Sequence, residues 1–436
     1  MKGSVNKMIL IKNAKLVDKG NDCVIRDILI DKGKILKIGE KLEQKNAEAK
    51  IIDAAFNLLI PGGIDVHVHL RQPGFEEKET VKTGSLAAAK GGYTTIMAMP
   101  NVKPFPDNVD TIKDYLRLIN SEAIINVVPY VCITKGEKGA EPVDYEAVKN
   151  SFNLRYFSDD GVGVQDDSIM QKAFEGIKKI DGIISAHTED MRYRKPGSCV
   201  HDGEFAKKNN LVGIPSETEY MQIERDLKLA KKTGVKYHIC HMSSRRSVEL
   251  LREYKKMGAD VSGEVTIHHL LLTEDDIDVN NANYKMNPPL RTKDDREALI
   301  EGLLDGTVDF IANDHAPHTE KEKAEGIINA PFGISTIENA IALFYTNFVK
   351  TGKISLEDFV KYISSKPADR FGFKNKGCIK EGYDADLVLI REEDNIIDKN
   401  SFITKGKNTP FDKTKVSILT EWTMSLGEFV YRRDHV

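Results

Sequence analysis

IDVHVHLRQPG, residues 64–74, begins as a strand, ends in a turn, and carries two histidines where the two meet. Apolar and polar positions alternate, so Asp65, His67 and His69 share one side of the extended chain. Pro73 and Gly74 stop the run. A helix-period stretch follows, ETVKTGSLAAAK at 79–90, and then a second apolar run, TTIMAM at 94–99. The same alternation continues through INVVPYVC (125–132), LRYFS (154–158), IISAH (183–187), KYHIC (236–240), DVSGEV (260–265) and VDFIA (308–312). Helical patterns such as SETEYMQIERDLKLAKK (216–232) and DDREALIEGLL (294–304) lie between them. Eight strand-like runs alternating with helices predict an α/β chain folded as a (β/α)8 TIM barrel. An open, doubly wound sheet is the alternative, because periodicity does not prove closure.

Outside this region the texture changes. MILIKNAKLV (8–17) and DILIDKGKILKIG (27–39) are short strands, with Lys32-Gly33 as a hairpin turn in the second. ADLVLI (385–390) and SILTEWTMSLGEFVYRR (from 417) have the same character near the other end. Residues 1–60 and 368–436 are therefore expected to form one small β-sandwich domain, with 61–367 as the catalytic barrel.

The 63 basic and 67 acidic residues leave a net charge of −4, which offers a polyanion no footprint, so nucleic acid is not an expected partner. No apolar run approaches the roughly 20 residues needed to cross a bilayer, and the N-terminal MKGSVNKMILIK has no signal-peptide pattern. A soluble, cytoplasmic protein without a membrane partner is expected. Cys23, Cys132, Cys199, Cys240 and Cys378 form an odd set without a C-x-x-C pair and read as reduced core residues.

A barrel puts its chemistry at the C-terminal ends of its strands. Metal-type side chains stand at those ends: His67 and His69, Asp159 and Asp160, His187, His241, and Asp314. Imidazole and carboxylate suit Zn²⁺ in a hydrolytic site. Each has a plainer reading when taken singly, a core histidine or a turn aspartate, but a set distributed round one barrel does not.

Together with these residues, HVHLRQPG, MPN (99–101), FSDDGVGVQ, AHTED, HICHMSS, YKMNPPLR, NDHAPH and APFG follow one another in an order that resembles the dihydroorotases of the amidohydrolase superfamily, in the form found in Bacillus-like bacteria. The resemblance runs from about residue 8 to 430. It implies two zinc ions per subunit, with His67, His69 and Asp314 on one and His187 and His241 on the other. Many relatives bridge the metals with a carboxylated lysine. FSDDG has no lysine, so Asp160 is the expected bridge, and Asp159 caps the turn that presents it. Asp314 is also the expected proton carrier. Arg71, Asn101 and His318 are expected on the substrate carboxylate, with Asn287 and the backbone of Pro331, Phe332 and Gly333 on the ring edges.

The implied reaction is the reversible cyclisation of N-carbamoyl-L-aspartate to (S)-dihydroorotate in de novo pyrimidine (UMP) biosynthesis. Another cyclic amidase, a hydantoinase or allantoinase, is the alternative. A non-catalytic scaffold is disfavoured because all six ligands are present. The resemblance also brings a homodimer and aspartate transcarbamoylase as candidate partners. Departures from the family pattern are Gln72, Thr188, Ile267 and Asn313, none of them a proposed ligand. His238 has odd spacing from His241 and is expected on the opposite face of its strand, and His268-His269 are expected to order the following loop. The charged stretch 318–327 reads as a solvated helix at the rim of the site.

Overall fold

All eight runs form strands in the computed structural model, which describes residues 8–18, 21–45 and 48–433. They are β1 (Gly63–Val68), β2 (Tyr93–Ala98), β3 (Asn126–Pro129), β4 (Tyr156–Phe157), β5 (Ile183–Ala186), β6 (Lys236–Ile239), β7 (Val261–Thr266) and β8 (Phe310–Ala312). Every ladder between neighbours is parallel. Two single bridges complete the circuit: Val131 with Phe157 joins β3 to β4, and Val68 with His315 joins the exit of β8 to β1. The sheet is therefore closed, and the open alternative falls. Strands with helices outside and side chains inside are covered on both faces, which is why β1, β2, β5 and β7 are buried along their whole length.

The helices start where short polar side chains cap them. Thr80 accepts from the Thr83 amide at the start of Val81–Lys90, Ser244 from the Ser247 amide before Arg245–Lys256, and Thr292 from the Asp295 amide before Lys293–Leu304. Tyr130, Phe310 and Phe371 belong to one buried cluster, the last carried on the helix Lys366–Phe371.

Segments from both ends of the chain share one eight-stranded sheet. Leu387–Ile396 pairs antiparallel with Leu58–Pro61, which leads directly into the barrel. A bridge from Lys34 to Asp384 brings the edge of the N-terminal hairpin to the C-terminal half, and Ile28, Ile30, Leu387, Trp422 and Met424 pack between. Residues 1–7, 19–20, 46–47 and 434–436 of the expected β-domain lie outside the described residues. Of the cysteines, Cys132, Cys199 and Cys240 are buried as expected, whereas Cys23 is exposed and Cys378 half-buried. Among the described residues no helix is long and apolar enough to cross a membrane.

Candidate active site

Six of the seven metal-type residues converge at the upper mouth of the barrel. Asp160 is at the centre. One of its oxygens lies 3.3 Å from His67 Nε2, 3.8 Å from His187 Nδ1 and 3.9 Å from His241 Nε2, and the other lies 3.4 Å from His69 Nε2. Asp314 Oδ1 is 3.0 Å from His69 Nε2 and 3.5 Å from His67 Nε2. His187 Nδ1 and His241 Nε2 face each other at 3.0 Å. Asp159 turns the other way and accepts from the amides of Ile133 and Thr134 at 2.7 and 3.1 Å.

This donor set fits a metal. Ligand atoms of His67, His69 and Asp314 lie within 4.8 Å of one another, as do those of His67, Asp160 and His241. His67 Nε2 and Asp160 Oδ1 are buried with no hydrogen bond of accepted geometry, and nitrogen and carboxylate oxygen are the donors zinc takes. The backbone is strained to aim these groups. Arg71, His241 and Asp314 have φ of 61°, 33° and 45°, a left-handed region that costs non-glycine residues of order 1–3 kcal/mol each.

Behind the metal-type residues stand others that the spacing of motifs did not reveal. Glu264, fully buried on β7, accepts from His67 Nδ1 and His238 Nε2, each at 2.9 Å, and from the His241 amide at 3.2 Å. Burial pushes its carboxyl up, but the hydrogen bonds of His238 and His67 hold it down at about 2. The parity expectation for His238 therefore fails. Its ring shares a carboxylate with His67, because β6 ends at Ile239 and the left-handed turn at His241 breaks the alternation. His269 behaves as expected: it bonds Thr266 Oγ1 at 2.7 Å and the Pro288 carbonyl at 3.0 Å, which fixes the loop that carries Asn287.

A cavity of about 190 Å³ opens above the cluster and is lined by Arg71, Asn101, Arg194, Asn287, Phe332 and Gly333, among others. Asn101 sits 2.9 Å from His69 Nδ1 and donates to Asp160 at 3.3 Å. Arg71 donates to the Pro317 carbonyl and approaches His318 Nε2, both at 3.3 Å, and His318 Nε2 lies 2.8 Å from the Phe332 carbonyl. Gly333 has φ of 126°, and a Cβ there would lie 2.6 Å from that of Ala316, so the loop comes this close only as glycine. Arg194 and Glu189 were not anticipated. The rim stretch also differs from the solvated helix expected: Lys323 on the short helix Glu320–Lys323 is buried and donates to the carbonyls of Pro331 and Lys285 at 3.0 and 3.2 Å.

The dihydro-orotase-like family profile matches residues 56–247. Curated relatives named dihydroorotase, from Bacillus cytotoxicus and Bacillus cereus (strain ATCC 14579), are each 47% identical over 426 residues, 98% of this chain and 98% of theirs. Among solved structures, L-hydantoinase (dihydropyrimidinase) from Arthrobacter aurescens is similar with a TM-score of 0.86 and 25% identity over 98% of this chain and 96% of that one. A dihydropyrimidinase from Brevibacillus agri gives 0.84 and 25% over 98% and 95%.

Proposed function

The chain belongs to the dihydroorotase family, and we propose that it interconverts N-carbamoyl-L-aspartate and (S)-dihydroorotate in de novo pyrimidine biosynthesis. The observation that carries this reading over a hydantoinase is Arg71. It lines the cavity, and its hydrogen bonds go to the Pro317 carbonyl and to His318 rather than to a carboxylate. A ring with an exocyclic carboxylate supplies the missing partner, whereas hydantoin has none to offer.

In this reading His67, His69, Asp314, His187, His241 and Asp160 would together hold the zinc ions. Bound zinc polarises a carbonyl and lowers the pKa of water. The chain's own groups do the rest. Arg71 and His318, with Asn101, hold the carboxylate and so set the ring's orientation. Asn287 and the backbone of Pro331, Phe332 and Gly333 take the ring edges. Asp314 accepts the proton that water loses and returns it to the departing ring nitrogen; ring closure runs the same path backwards. The same proposal makes residues 61–367 the catalytic barrel, and the described parts of 1–60 and 368–436 the small β-domain. A cytoplasmic location, a homodimer and docking on aspartate transcarbamoylase belong to the same proposal, and size-exclusion chromatography with and without that partner tests the last two.

The deciding experiment offers the zinc-loaded protein dihydroorotate, hydantoin and allantoin in parallel and follows ring opening by ultraviolet absorbance. Dihydroorotate should be turned over far faster than the other two. Turnover of hydantoin or allantoin without dihydroorotate would replace this reading with the cyclic-amidase alternative.

A further inference from the structure

His187 is held on both sides of its ring. Nδ1 faces Asp160 and His241, while Nε2 lies 3.5 Å from Glu189 Oε2 and 3.3 Å from Asn287 Nδ2. Asn287 Nδ2 is closer to Glu189 Oε2, at 3.1 Å. With the ring proton on Nε2, both donors therefore go to the one carboxylate oxygen, and the Nδ1 lone pair is left for the metal side. The other oxygen, Oε1, is paired with Arg194 Nη1. Arg194 is itself fixed by a 3.3 Å bond to Ser198 Oγ and by the face of Phe332, whose ring centre lies 5.0 Å from the guanidinium carbon.

The division of labour within this carboxylate is informative. An arginine and a carboxylate left to themselves favour a two-pronged pair. The adjacent Asp190 does this with Arg192, both of its oxygens engaging that guanidinium at 2.6–3.1 Å. Glu189 gives Arg194 only one oxygen and turns the second toward His187 and Asn287. It is 4% exposed as a residue, so the second oxygen has no solvent to fall back on.

We propose that Glu189, anchored by Arg194, is a positioning residue that fixes the orientation and proton of His187 and ties that ring to Asn287. A metal ligand and a substrate-facing amide are then set by one carboxylate. The inference rests on the metal-site reading above. Carboxylates behind metal-bound histidines typically contribute 10- to 100-fold in metal affinity.

The test begins with zinc titration of the wild-type chain against a chromophoric chelator. A wild-type chain that bound no zinc would overturn the metal-site reading and this inference with it. Glu189→Gln should weaken one of two zinc affinities by about 10- to 100-fold and leave the other unchanged. Arg194→Met, titrated in the same way, should shift the same affinity in the same direction by less, which keeps the test decisive if the first variant folds poorly. Glu189→Gln and Asn287→Ala should each raise KM, and the double variant should be no worse than the poorer single one, since the first weakens and the second removes the same Asn287–Glu189 bond. Wild-type zinc affinities in Glu189→Gln and Arg194→Met, or KM effects that simply multiply, would overturn the proposal.

Discussion

Arg71 shows what one side chain contributes that charge alone does not. Its guanidinium stands in the cavity between His318 and the Pro317 carbonyl, with its fork available to a ligand. Arg71→Lys keeps the charge and loses the two-pronged geometry. A charge-assisted bond contributes roughly 1.5–3 kcal/mol, so kcat/KM for dihydroorotate should fall about ten- to a hundredfold with zinc content intact. An unchanged kcat/KM would assign Arg71 to holding the His318 loop. Asp314 calls for a different substitution. Asp314→Asn retains an oxygen donor but cannot accept a proton, and general acid–base catalysis is typically worth 10²- to 10⁴-fold. Turnover should drop by about that factor in both directions, read beside metal analysis. Near wild-type turnover with full zinc would pass the proton role to His318. The convergence of the metal-type residues was legible in the sequence because they recur where strands end. Glu264, Glu189 and Arg194 were not, since a carboxylate behind a histidine has no spacing rule and is defined only by which strands the barrel brings together.

Elements, rather than residues, hold the substrate side of the cavity in shape. The short helix Glu320–Lys323 inserts Lys323 between two loops, where it donates to the Pro331 and Lys285 carbonyls, and the Gly333 amide donates to that same Lys285 carbonyl at 3.0 Å. From sequence, the surrounding run of charges reads as solvent-facing, because composition does not say which single lysine turns inward. Burial, with repulsion from Lys285, pushes the Lys323 ammonium down to about 7 from 10.5. Between these values the unfolded chain carries a proton that the folded one does not. Lys323 therefore makes folding more favourable as pH rises through this window, and below about 7 the cost of the buried charge is felt in full. Lys323→Met removes both the charge and its titration. The unfolding free energy of wild type minus variant, from denaturant melts, should rise between about pH 7 and about pH 10. A difference that stays flat across that range would mean that Lys323 keeps its proton in the folded state.

At the scale of the whole molecule, the segment between the strands Leu387–Ile396 and Lys415–Ser425 returns to the barrel and braces its mouth. The alternation of strands and helices made the barrel legible, and the β texture at both ends made the second unit legible. The brace that 397–414 lays against the barrel was not, because that stretch has no periodicity. Asn408 is its anchor. Its side-chain oxygen accepts from the His318 amide and Ser335 Oγ, each at 3.0 Å, and its amide donates to the carbonyls of Gly333 and Ala316 at 3.0 and 3.3 Å. His318 and Gly333 are thereby fixed by a residue far along the chain that touches none of the metal-type residues. Asn408→Ala leaves these buried groups without partners at about 1–3 kcal/mol each, so the chain should lose stability measurably in a denaturant melt. Because the freed loops carry the proposed substrate contacts, KM for dihydroorotate should also rise, by about tenfold for each 1.4 kcal/mol of lost ordering, while zinc content is unchanged. Asn408→Asp keeps an acceptor for the His318 amide but cannot donate to Gly333, and should fall between the two. If Asn408→Ala lowers stability and leaves KM at the wild-type value, the C-terminal segment braces the fold alone and the shape of the cavity is set within the barrel.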